Sequence, residues 1–103
     1  MASKSGARTA APVHPGPIAA ETIDDLGMSW RDAAKRLGMS PNGLNKVLNG
    51  KTPVTPETAL RLSAFIGLPP ETWLRMQNAY DLWHARLKIA DSLGKIARAK
   101  SYK

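Results

Sequence analysis

The 103-residue chain has no cysteine, a single phenylalanine, and only eight acidic residues against fifteen lysines and arginines. Without cysteine there is no disulfide framework, no thiolate nucleophile and no cysteine-based zinc site. A reducing compartment is compatible with that composition, and the expected location is the cytoplasm. Long apolar runs are missing as well. Charge, glycine or proline breaks each stretch well before the length a bilayer requires, so no membrane-spanning helix is expected, and a membrane is not the partner favoured by the motifs below. No apolar segment follows the first basic residues, Lys4 and Arg8, which argues against a secretory leader. The shortage of acids leaves a formal net charge of +7. That balance favours polyanionic partners, of which nucleic acid and an anionic membrane surface are the two general kinds.

Catalytic arrangements are absent too. No Ser-His-Asp set, glycine-rich phosphate loop or zinc-binding helix pattern occurs at a workable spacing. His14 and His84 are far apart in sequence and have no carboxylate cluster beside them, so no metal site is expected. Asp24 and Asp25 would point about 100° apart on a helix and make no acid/base pair. The chain is therefore expected not to be an enzyme and to need no cofactor.

What is present is helical punctuation. The most informative stretch is Gly38-Met39-Ser40, which separates two short helical patterns. The first pattern opens at Ser29, whose hydroxyl suits the amide near Asp32, and closes where Gly38 supplies a left-handed C-cap. The second opens with Ser40 as N-cap and Pro41 at the first helical position, and Gly50 closes it. Between these marks Ala34, Leu37, Leu44 and Val47 face inward. Asn42, Asn45, Lys46 and Asn49 are left outside, where amides and an ammonium suit base edges or phosphates. Together the pair reads as a DNA-binding helix-turn-helix. Gly43 presents no side chain there and costs the helix roughly 1 kcal/mol relative to alanine.

Around that pair the pattern predicts an all-α fold of about five helices with no repeat. At this length folding hides roughly 60 to 70% of the unfolded surface, enough for one modest core. Residues 1–16, rich in Ala, Ser, Gly, Pro and Thr, read as a flexible arm. A helix from Ile18 to Leu26 follows, with Ile18, Thr22, Ile23 and Leu26 near one face and Gly27 at its end. Thr55-Pro56-Glu57 announces another helix running to Gly67, in which Ala59, Leu60, Ser63, Ala64 and Ile66 form the expected packing face. The last pattern opens at Pro69-Pro70-Glu71 without a polar cap and carries the stripe Trp73, Met76, Tyr80, Trp83 and Leu87. So long a stripe exceeds what one small chain can cover, which points to a homodimer. Residues 17–82 form the expected DNA-binding domain, and residues 83–103 a basic helical extension. In that extension six bases oppose Asp91, a local charge of +5. Ile89, Leu93 and Ile96 permit the helix to continue, to bind either phosphate or a protein partner.

From about His14 to Leu82 the chain resembles the HigA-type antitoxins of the Xre helix-turn-helix family, relatives of phage repressors. The resemblance rests on His14-Pro15-Gly16, Ala34 to Gly38, Ser40-Pro41-Asn42, Leu48-Asn49-Gly50-Lys51, Thr55 to Leu62, Trp73-Leu74 and Ala79-Tyr80-Asp81-Leu82. Pro17 and Pro69 depart from it, the one replacing a usual acid and the other a usual Ser or Thr cap. The resemblance implies a compact phage-repressor-like domain and a dimeric repressor of its own operon that silences a small HigB-type ribonuclease toxin. Its partners would be double-stranded DNA, as an operator inverted repeat with half-sites about one helical turn apart, and that toxin. Asn42, Asn45 and Lys46, near the start of the second helix of the motif, are the candidate base-contacting residues. Ser29, Trp30, Ser40, Asn49 and Lys51 resemble the positions that hold the phosphate backbone. Two alternatives stand beside this reading: an interaction protein that sequesters a partner and uses the helix-turn-helix as scaffold, and a stand-alone phage-like regulator with no toxin.

Overall fold

The structure, a computed structural model, describes residues 11–99. Within them the chain forms α1 (Pro15–Asp25), α2 (Trp30–Leu37), α3 (Pro41–Leu48), α4 (Pro56–Ile66), α5 (Pro70–Lys88) and α6 (Ala90–Gly94), and no strand. Residues 1–10 of the expected arm, with Lys4 and Arg8, lie outside the described residues, as do Lys100 and Lys103 of the basic end. No helix of the described residues is long and apolar enough to cross a membrane.

Proline sets most of the starts. Pro15, Pro41, Pro56 and Pro70 each occupy the first position of their helix, where the missing N–H would have had no helical acceptor. Ser29, Ser40 and Thr55 accept from the amides three residues on, which satisfies part of the free first turn. Pro69 brings no side-chain cap to α5. Behind these ends lies one core. Ile23, Leu44, Leu48, Val54, Leu62 and Trp73 are its largest fully buried apolar side chains, and Ala19, Ala33, Ala34 and Ala59 let the helix backbones approach one another. α5 lies chiefly against α4, while α1 bridges α3, α2 and α4. The helix-turn-helix is thus braced from behind by α1 and α4.

Several sequence expectations require correction. α1 opens at Pro15 rather than Ile18 because His14 caps it, and His14, Pro15 and Gly16 are buried in the packed body. Leu26, expected on the inner face of α1, is 58% exposed, and Ala19, Ala20 and Ile23 fill that role. Leu60, expected in the core, is 61% exposed, whereas Leu62 is fully buried. At roughly 100° per residue, a helix that turns Ala59, Leu62 and Ile66 inward must turn Leu60 and Ala64 out. At the far end α5 stops at Lys88, Ile89 leaves helical geometry, and α6 lasts five residues, so Ile96 lies beyond any helix of the described residues.

Candidate nucleic-acid interface

The turn between α2 and α3 is fixed by backbone and side chain together. Gly38 has φ 73°, the left-handed region that favours glycine. Its N–H and that of Met39 return to the last carbonyls of α2, Met39 N reaching the Ala34 oxygen at 2.9 Å. Arg61 of α4 adds a contact invisible in local sequence: its Nη1 donates to the Leu37 carbonyl at 2.7 Å while Nη2 pairs with Glu57 at 3.0 Å. A Cβ on Gly38 would crowd that guanidinium, at 2.7 Å from Nη1. Glycine is therefore favoured there by φ, and a Cβ would also displace the Arg61 guanidinium from its place.

α3 is held by its inner face and its cap. Leu44, Val47 and Leu48 are buried, and the Ser40 hydroxyl accepts from Gly43 N at 3.0 Å. Gly43 now has a local explanation, since a Cβ there would lie 2.9 Å from that capping oxygen. Asn42, Asn45, Lys46 and Asn49 are all exposed. At α-helical spacing the four fall within an arc of roughly 100°, so they present one continuous polar face.

The residues expected to hold phosphate are less uniform. Ser29, Ser40, Asn49 and Lys51 are exposed, and Asn49 is the C-cap of α3. The two serine oxygens accept from Asp32 N and Gly43 N, which leaves each hydroxyl proton available to an outside acceptor. Trp30 differs from the rest. It is half-buried against the core, and its indole N–H donates to Asp24 Oδ1 at 2.9 Å. A phosphate at Trp30 would compete with that carboxylate.

Three supporting residues were not identified from sequence. His14 is 7% exposed; its Nδ1 accepts from Gly16 N at 2.9 Å, so Nε2 carries the proton and donates to the Thr52 carbonyl at 3.0 Å. Thr52 follows Lys51, and His14 thereby anchors the turn after α3. Gln77 is also buried, accepting from Val54 N at 2.7 Å and donating to Asp81 at 2.9 Å. Arg61 is the third. The signals for them in sequence were the matching His14-Pro15-Gly16 and Thr55 to Leu62 elements, which hold His14 and Arg61 without revealing their bonds. His14 and His84, distant in sequence, flank Tyr80 with ring centroids 5.0 and 4.4 Å from its own, the first pair edge-on and the second tilted.

Comparison with known proteins places this geometry. The helix-turn-helix family model matches residues 21–73. A transcriptional regulator of the helix-turn-helix type from Escherichia coli K12, YddM, is 41% identical over 75 residues, 73% of this chain and 80% of that protein. Antitoxin HigA-1 of Vibrio cholerae is 33% identical over 66 residues, 64% of this chain and 62% of its own length. The solved structure of an addiction module antidote protein of the HigA family from Coxiella burnetii superimposes with a TM-score of 0.79 at 39% identity, covering 88% of this chain and all of that one.

Proposed function

Since this chain belongs to the helix-turn-helix family and is an antitoxin-like DNA-binding regulator of the HigA type, we propose that it represses its own operon and neutralises a HigB-type ribonuclease toxin. The observation that carries the DNA half is the exposed arc of Asn42, Asn45, Lys46 and Asn49 on a helix whose opposite face is buried. Asn is suited to the paired donor and acceptor of adenine and Lys to the acceptors of guanine. In this reading Asn42, Asn45 and Lys46 contact bases. Ser29, Trp30, Ser40, Asn49 and Lys51 fix the register on the phosphates, Trp30 by giving up its bond to Asp24.

The operator would be an inverted repeat read by a homodimer. Support for a second subunit comes from α5, where Leu82 and Leu87 are exposed and Trp83 is half-buried although the first half of the helix is packed. A footprint on the DNA upstream of its own gene tests repression, half-site spacing and autoregulation together. A protected inverted repeat is expected, and uniformly weak protection would refute the reading. Substituting Asn42 and Lys46 together with alanine separates it from the scaffold alternative, which predicts unchanged operator selectivity. Support for the toxin half is the resemblance to HigA proteins. Co-expression with a ribonuclease encoded next to its gene tests it, and undiminished RNA cleavage would leave the chain a stand-alone regulator.

A further inference from the structure

Cations also gather beside the reading face, outside the residues assigned so far. Arg31 and Lys35 stand one turn apart on the exposed side of α2, and with Asp32, Met39 and Pro41 they line an open cleft of about 350 Å³. Two elements build it: α2 supplies the charges, while Met39 and Pro41 are the end of the turn and the first residue of α3. The positive end of the α3 dipole therefore borders the cleft. The amide of Asn42, in that first turn, has no acceptor within the helix.

No ion pair of the described residues accounts for the two cations. Among the described residues the one ion pair is Arg61–Glu57, so neither Arg31 nor Lys35 is neutralised. Lys35 in the last turn of α2 complements the helix dipole, but Arg31 in the first turn works against it. Asp32 is the single carboxylate of the cleft, and its place follows from that same first turn, where negative charge is favoured. Two cations and a helix N-terminus against one carboxylate leave the cleft net positive. Arg36 is on another side, lining a separate hollow with Arg61 and Phe65.

We propose that this cleft seats a backbone phosphate of the bound duplex, with Arg31 and Lys35 as its ligands. The proposal rests on the DNA-binding reading above and adds a contact that sets register without reading sequence. Its test is fluorescence anisotropy on two duplexes, one carrying the upstream DNA of its own gene and one scrambled, from about 50 to 200 mM salt.

In Arg31→Gln and in Lys35→Gln the log–log salt slope is expected to fall by about 0.9 for each phosphate contact removed. Affinity for both duplexes should fall by the same factor, leaving their ratio unchanged. Lys35→Arg should retain the slope, and Asp32→Asn, which removes the opposing charge, should tighten binding to both duplexes. Circular-dichroism melts of the same variants establish that they fold. An unchanged slope in a variant carrying both Arg31→Gln and Lys35→Gln, or a loss confined to the upstream duplex, overturns the seat and leaves the DNA reading standing. A wild-type chain that binds neither duplex overturns that reading and the seat with it.

Discussion

Gly16 packs so tightly against Val47 that a Cβ on the glycine would overlap the Val47 carbonyl oxygen. The first turn of α1 thus rests on the backbone of the last turn of α3. Neighbouring bonds act on the same place: His14 joins Gly16 N to the Thr52 carbonyl, and its ring lies against Gly50, whose φ is 74°. The His14-Pro15-Gly16 element is a brace for the end of α3.

Gly16→Ala is therefore expected to destabilise the fold. Alanine gains at most about 1 kcal/mol in helix propensity, but the obstacle is a backbone carbonyl, which has no rotamer to adopt. Overpacking of this kind costs about 1 to 3 kcal/mol. The net effect should appear as a lower urea midpoint, and a midpoint equal to or above wild type would show that α1 shifts freely against α3.

Replacing His14 separates its two bonds. His14→Ala loses a helix cap of about 1 kcal/mol and a hydrogen bond of about 0.5 to 1.5 kcal/mol. His14→Asn keeps a short acceptor for Gly16 N but is too short to span to the Thr52 carbonyl. The asparagine variant should fall between wild type and alanine in denaturant titrations. Equal stability of the two variants would mean that the cap contributes nothing.

Leu60 and Leu62 provide a paired comparison on one helix. Leu62→Ala should cost about 2 to 5 kcal/mol, as core deletions of leucine do, whereas Leu60→Ala, at an exposed position, should stay within about 0.5 kcal/mol. Chemical denaturation of both variants is the check. A large loss at Leu60 would indicate that a second subunit covers that face.

These comparisons show what kind of information local sequence carried. Caps, prolines and the left-handed glycine act within four residues of themselves, so Ser29, Gly38, Ser40, Pro41 and Thr55 revealed their roles directly. The exposed arc of α3 was legible for the same reason, because Leu44 and Val47 fix its phase. The phase of α4 was not, since Leu60 and Leu62 are equally apolar and only the packing partners choose between them. The bonds of Arg61, Gln77 and His14 stayed hidden because their acceptors or donors lie 24, 23 and 38 residues away. The start of α1 was missed for a related reason: a histidine ring nitrogen did the capping in place of a hydroxyl or carboxamide.

Gln77 illustrates such a long-range dependence and yields its own test. Its Oε1 is the acceptor for the buried Val54 N–H at 2.7 Å. Gln77→Leu preserves much of the volume and removes the acceptor, and a buried donor left unpaired costs about 1 to 3 kcal/mol. Hydrogen exchange at Val54 should accelerate along with the loss of stability. Protection of that amide at the wild-type level would show that another acceptor replaces the glutamine.

The proposed role of the exposed α3 face makes the sharpest demand. Asn42, Asn45 and Lys46 are exposed, so alanine at any of them should leave thermal unfolding essentially unchanged while altering DNA binding. A bidentate base contact discriminates by about 1 to 3 kcal/mol. Asn42→Ala and Asn45→Ala should therefore each reduce preference for the operator over scrambled DNA by roughly 5- to 150-fold, with the salt slope preserved. Lys46 carries a charge and is diagnosed by the slope. If it pairs with guanine, Lys46→Ala lowers the operator preference; if it holds a phosphate, both duplexes weaken together and the slope falls by about 0.9 per contact. With about four phosphate contacts per subunit, the wild-type dimer should show a slope near −7. A wild-type slope near zero, or selectivity untouched by all three substitutions, would remove α3 from the major groove and leave the helix-turn-helix a scaffold.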